Sequence, residues 1–267
     1  YKQLLLMLCY LSASSFSLAS EATSTPDSPS TLEHKAPEND EFHLTLGGGT
    51  FYGPKYEGRD KEDLKFFPFI GIEYGKFSMG IEGIQYQVYE ANDHSVSLGI
   101  KSDEERELSD LSKQKKGVGK VEGGLAISVS GEFPLFDMLT LGVEASKSTS
   151  HHQRFSASTS LGTLFPIYNT TVLGRFGISS TWNDAELNQL FYGVNTTQSI
   201  KSGLPTFKAH SGFKDLSYSF TSIFSISRPL NLTFSVIYKQ LKGDAARSPI
   251  IERTESFSVV QTLSYRF

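Results

Sequence analysis

SFSVVQTLSYRF, residues 256–267, alternates almost without fault. Phe257, Val259, Leu263, Tyr265 and Phe267 share one parity, while Ser256, Ser258, Thr262, Ser264 and Arg266 share the other, and only Gln261 interrupts the apolar side. Successive side chains of a strand point to opposite faces. A run of about ten residues in this pattern can therefore cross a bilayer with one face in lipid and the other toward a polar interior. A strand of a soluble sandwich alternates in the same way. The rest of the chain has to decide between the two.

Working upstream, Leu230, Leu232, Phe234, Val236 and Tyr238 oppose Asn231, Thr233, Ser235 and Lys239. Before them, Leu216, Tyr218, Phe220, Phe224 and Ile226 oppose Ser217, Ser219, Thr221 and Ser225. Shorter runs of the same kind start at Phe42, Phe66, Phe77, Val96, Leu125, Leu139, Phe155 and Thr171, the one from Phe77 continuing on the opposite parity from Ile84. Parity slips by one residue near Gly83, which predicts a β-bulge there. The runs number about eleven, whereas a single-chain bacterial barrel has an even count. Twelve strands are expected, with ten as the alternative and the discrepancy lying in the N-terminal third.

The composition of the second parity favours lipid. It is mostly Ser, Thr and Gly rather than the Lys and Glu with which a soluble sandwich covers its outer face. Aromatic residues make up 12% of a chain that is only 38% hydrophobic, and mean hydropathy is -0.23. A barrel accommodates that combination because lipid meets only half of each strand. Tyr74, Tyr86, Trp182, Tyr238, Tyr265 and Phe267 fall at or near run ends, where aromatic girdles sit at lipid headgroups. The reading is an all-β, single-chain antiparallel transmembrane barrel. Its inner turns are short, such as Ser227–Asn231, and its outer loops long: 102–120, 148–154, 183–214 and 243–255.

Residues 1–19 have a basic start at Lys2, an apolar run from Leu4 to Leu11 and a small-x-small end at Ser17, Leu18 and Ala19. That layout predicts a signal peptide cleaved after Ala19. Leu8 before the single cysteine, Cys9, does not suit a lipid-anchor site, and one cysteine cannot make a disulfide framework or a cysteine zinc site. Residues 20–40 are rich in Ser, Thr, Pro and Glu, offer little to bury and read as a flexible periplasmic tail. The barrel domain is expected over 41–267. A net charge of -4 without a basic stripe gives no reason to expect a nucleic-acid partner.

Loop segments carry a family resemblance. YGPKYEG (52–58), YGV (192–194), SGLPTF (202–207), GFKDLS (212–217), LKGDAARSP (241–249) and the closing LSYRF resemble, in order, the MipA/OmpV family of outer-membrane proteins. The positions that carry the likeness are Tyr52, Gly53, Pro54, Tyr56 and Gly58 in the first loop, and Gly243, Asp244, Ser248 and Pro249 in the last. Arg247 departs from it, standing where an acidic or small residue is expected. The end of the chain, with Tyr265 and Phe267, resembles the closing strand that barrel-assembly machinery recognises. The resemblance implies a non-enzymatic protein of the Gram-negative outer membrane in one of two roles. One is a scaffold joining a lytic murein transglycosylase to a murein synthase; the other is a surface antigen, adhesin or narrow solute pore.

Catalytic and metal motifs are weak. His151 and His152 stand near Ser148, Ser150 and Asp137, yet no acid is spaced to orient them, and adjacent histidines in a Ser-rich loop ordinarily form a solvated tip. No further ligand lies at metal spacing. Asp244 has an ordinary turn context. Gly47, Gly48 and Gly49 lack the GK[ST] of a phosphate loop and are expected to allow close packing. No cofactor is expected. Glu73, Glu122, Glu144, Arg175 and Lys239 fall on polar parities and are expected to pair across a filled lumen or to line a channel.

Overall fold

The protein is described by a computed structural model covering residues 41–267, apart from 82, 104, 109–110, 113–114, 137–138, 150–154 and 169–171. The predicted signal peptide and tail, the His151–His152 pair, Ser150 and Asp137 lie outside the described residues.

Twelve strands close into one barrel in which each pairs antiparallel with its sequence neighbours, and the last pairs with the first. They are β1 (Phe42–Pro54), β2 (Glu62–Tyr74), β3 (Phe77–Gly80), β4 (Gly83–Ala91), β5 (His94–Ser102), β6 (Leu125–Phe136), β7 (Leu139–Ser148), β8 (Phe155–Tyr168), β9 (Val172–Asn183), β10 (Gly212–Ser225), β11 (Leu230–Leu241) and β12 (Glu255–Arg266). Closure pairs the first strand with the last, so the sheet does not end on an outermost strand whose backbone groups would face hydrocarbon unpaired. A strand such as β1, of 13 residues, tilted as barrel strands are, spans about 30 Å, which matches the membrane's apolar thickness.

The apolar parity faces outward. Leu64, Phe66 and Ile70 of β2, Ile127 and Val129 of β6, and Phe257 and Leu263 of β12 are all exposed, Phe66 at 69%. A soluble sandwich would bury these side chains between its sheets. Aromatic residues mark both ends of the wall: Tyr74 closes β2 and Tyr265 and Phe267 close β12 at one rim, with Trp182 near the end of β9 at the other. The Tyr265 and Phe267 rings lie 4.7 Å apart.

One end of the barrel has tight turns. Tyr74 pairs with Phe77 across a two-residue turn, and Ala91 with His94 across Asn92 and Asp93, whose φ angles of 50° and 64° are those of a hairpin turn twisted to suit its strands. All the long loops lie at the other end, so the chain terminus is on the inner, periplasmic side by the usual rule for such barrels.

The slip near Gly83 is not the predicted bulge. Phe77–Gly80 is a separate strand of four residues, and Gly80 pairs with Gly83 across a turn. Splitting one run into two supplies the twelfth strand. It also leaves the wall uneven, because β3 pairs with β2 only at Ile72, Glu73 and Tyr74, while β2 continues beside β1 up to Glu62.

Inside, most lumen-facing residues are polar, and several pair. Lys101 bridges to Glu144, and Arg266 reaches Glu73 at 2.9 Å. Glu122 departs from the expectation; it lies outside the strands, exposed and paired with Lys120 at 2.8 Å. One sector of the lumen is apolar instead. Phe51, Phe67 and Val260 are buried there against Phe69 and Ile81. The glycines of β1 make room for it: a Cβ at Gly47 would fall 2.3 Å from the Phe69 ring, and one at Gly49 2.7 Å from that of Phe67.

Candidate functional site

Four outer loops, 55–61, 103–124, 184–211 and 242–254, fold together over the outer mouth. Their first apolar cluster buries Tyr56 from the β1–β2 loop, Leu111 and Val118 from 103–124, Val194 from 184–211 and Ile250 from 242–254. A second buries Tyr192, Ala209, Leu241 and Ala245, and Phe207 packs against both. Ile250 is wholly buried. Loop residues burying apolar side chains to this extent make a small core, stabilised like any other by the area removed from water.

Local structure orders this lid. The stretch read as a polar loop holds two helices, α1 (Ala185–Tyr192) and α2 (Thr196–Ser202). Asp184 caps the first by accepting from the Leu187 amide at 2.7 Å. Asn195 and Gln198 form a reciprocal capping box on the second. The last loop carries α3 (Gly243–Arg247), whose Asp244 accepts from the His210 amide at 2.7 Å and pairs with Arg247. Val194 and Phe207 exchange backbone hydrogen bonds of 2.8 and 2.9 Å, and Arg106 and Val121 do the same across the β5–β6 loop.

Beneath the lid core lies a cluster of buried charge. Lys214 is the extra residue of a bulge in β10, so it and Asp215 both turn away from solvent, at 2% and 0% exposure. Lys214 Nζ stands 3.5 Å from both Glu57 and Asp215, and Lys239 Nζ is 3.1 Å from Glu57. Tyr192 donates its hydroxyl to Glu57 at 2.5 Å, and the Thr181 amide donates to Asp215 at 3.2 Å. Burial pushes the Glu57 carboxyl up, but Lys214, Lys239 and the Tyr192 hydrogen bond outweigh it and hold the group well below the usual range. A second set joins Glu252 to Lys115 at 3.2 Å and to Arg59 at 3.3 Å. Burial raises the Glu252 carboxyl, while hydrogen bonds from Asp60 and Lys115 lower it further than that. Burial, with the Glu252 charge adding to it, pushes the Tyr56 hydroxyl up to about 12.

Most residues carrying the loop resemblance meet here. Tyr56 lies in the lid core, and Gly58 accepts from the amides of Glu252 and Arg253 at 2.8 and 3.1 Å. A left-handed φ of 82° and a Cβ position 2.3 Å from Ile251 exclude any other residue at Gly58 without strain. Ser248 donates to the Tyr192 carbonyl at 2.6 Å, beside the half-buried Pro249. Gly53 and Pro54 are buried at the top of β1, and Gly243 opens α3. Tyr52 stands apart: it faces outward and donates its hydroxyl to Glu62. Tyr265 and Phe267 are at the opposite rim, and Arg247, out of place in the resemblance, pairs with Asp244.

Glu57, Lys214 and Asp215 lie inside the segments that carry the resemblance, yet nothing in their spacing singles them out. They meet only because the bulge and the first loop converge. The cluster holds equal numbers of acids and bases with no nucleophile and base in contact, and among the described residues no group of His, Cys, Asp or Glu could hold a metal ion. What this arrangement does is fasten loops to one another and to the barrel rim.

The family described as MltA-interacting protein MipA matches residues 46–267. YiaT of Escherichia coli (strain K12), provisionally named an outer membrane protein, is 27% identical over 105 residues. That stretch is 38% of this chain and 42% of YiaT, so the chain spans less than half the length of that relative. Among solved structures, the NanC porin aligns over 83% of this chain and 98% of its own, with 10% identity and a TM-score of 0.42. OmpT of Vibrio cholerae aligns over 85% of this chain and 97% of its own, with 8% identity and a TM-score of 0.40. At such values neither likeness says anything of what this chain does. The family match takes in β1 from its fifth residue, every later strand and all four lid loops, and the chain belongs to the MipA family of outer-membrane β-barrel proteins.

Proposed function

We propose that this chain is a non-enzymatic platform in the outer membrane that holds a lytic murein transglycosylase and a murein synthase at its periplasmic rim. The observation that carries the reading is the family match across the whole barrel, to a family described by an interaction rather than a reaction. The geometry agrees with it. A packed lid over the outer mouth and paired charges in the lumen suit a closed body better than a diffusion channel. The murein layer lies on the side of the short turns, where partners would meet the rim and the segment that precedes β1.

A second reading, surface adhesin, draws on Ile200. This side chain of α2 is 82% exposed on the outer face, which is unusual for so apolar a group. A pull-down of envelope proteins on the folded protein in detergent tests the platform. Capture of a transglycosylase together with a synthase is the expected outcome. Capture of neither, with single-channel conductance in planar bilayers, would overturn the platform and revive a pore.

A further inference from the structure

The uneven wall has a chemical consequence. Phe267 donates its amide to the Leu44 carbonyl at 2.8 Å, so even-numbered residues of β1 bond toward β12 and odd-numbered ones toward β2. The register Thr45↔Gly71, Gly47↔Phe69 and Gly49↔Phe67 then turns the odd residues of β2 toward β1. Its even residues point the other way. Ile72 and Tyr74 meet β3 there, but Leu64, Phe66, Pro68 and Ile70 lie above the β3–β4 hairpin, where among the described residues β2 pairs only with β1. Among the described residues the barrel wall thus has a slot in its outer half, between β2 and the tops of β4 and β5.

Pro68 shows that the edge belongs to the sequence. It occupies the parity whose N–H would enter the slot, the position within a sheet that tolerates a residue without one. A proline there also blocks pairing by an added strand. Both flanks of the slot are apolar. Leu64, Phe66 and Ile70 face lipid outside, and Phe67, Phe69 and Ile81 form the apolar sector of the lumen behind it.

We propose that this slot is a lateral lipid portal: the polar head of an outer-leaflet lipid meets the open edge of β2, and its acyl chain reaches the phenyl rings on the lumen side. Lipid is what the slot opens onto, because the flanking residues continue the lipid-facing band of an outer-membrane barrel. Open strand edges are not tolerated in plain hydrocarbon, but here acceptors outnumber donors, which suits the hydroxyl or amide donors of a lipid head. The inference does not depend on the platform reading.

Tryptophan quenching by lipids brominated on their acyl chains tests it in reconstituted vesicles. The natural Trp182, on the outward parity of β9, sets the full effect. Phe69→Trp and, separately, Ile81→Trp, each in a Trp182→Phe background, report on the lumen side of the slot. Ser219→Trp in the same background reports on the lumen away from it. Heat-modifiable gel mobility selects the folded variants, and either slot reporter suffices should the other misfold. The expected result is a loss of emission from the indole introduced at position 69 or 81 close to that at Trp182, with the indole at position 219 spared. Equal quenching at position 219, or quenching at the slot only by aqueous iodide, would overturn the proposal.

Discussion

The two ends of this barrel perform the same task, joining antiparallel strands, by opposite means. At the inner end Gly75–Lys76 and Asn92–Asp93 do it with two residues, and local backbone geometry is the whole explanation. At the outer end four loops share two apolar clusters and a buried charge network, and their packing on one another is set by contacts between loops. Turns of the first kind are independent of one another. Loops of the second kind stand or fall together, so the lid should behave as one cooperative unit on a rigid wall.

Removing a central charge is the most severe way to break that unit. Lys214→Met takes one of two lysines from the partly buried Glu57 and the buried Asp215, and losing one partner of a buried ion pair costs about 3–5 kcal/mol. Proteolysis is expected within 103–124 and 184–211 together, while the barrel keeps its heat-modifiable mobility. Tyr56→Ala empties the first cluster instead, at about 2–4 kcal/mol, and the same cleavage sites are expected to open at a lower rate.

Acid is a graded lever on the same unit. The Glu57, Asp244 and Glu252 carboxyls are all held below their ordinary values. The stability they contribute is complete above the ordinary carboxylate range and is lost as pH falls through the depressed values. Protease sensitivity of the lid should therefore rise as pH drops below 4.5, the ordinary glutamate value, with no matching change at the inner turns. The smallest effect belongs to the inner end. Asp93→Gly relieves a positive φ in a two-residue turn and should add a few tenths of a kcal/mol, roughly, visible only as a slight rise in unfolding temperature.

That contrast also explains what could be read in the sequence. Period-two alternation locates the long strands, because each outward residue answers to lipid by itself. It runs β3, with only four residues of its own, into β4, and so reads a turn at Gly83 as a bulge. It assigns Phe67, Phe69 and Val260 no role, since apolar residues on the lumen parity make sense only once they meet across three strands. The helices of the lid were missed, although Asp184 and the Asn195–Gln198 box are capping signals inside what reads as a polar loop. The charge network was not legible either. Glu57, Lys214 and Lys239 are far apart in the chain, and only the closed barrel brings them within bonding distance.

Hydrogen exchange on the folded protein in lipid tests the lid most directly. The amides of Val194 and Phe207 are bonded to each other's carbonyls within 184–211, and those of Arg106 and Val121 within 103–124. Protection of all four comparable to that of strand amides, lost together in Lys214→Met, is the result expected. Exchange at these positions as fast as at the inner turns, in the natural protein, would mean that the outer mouth carries separate loops and no lid.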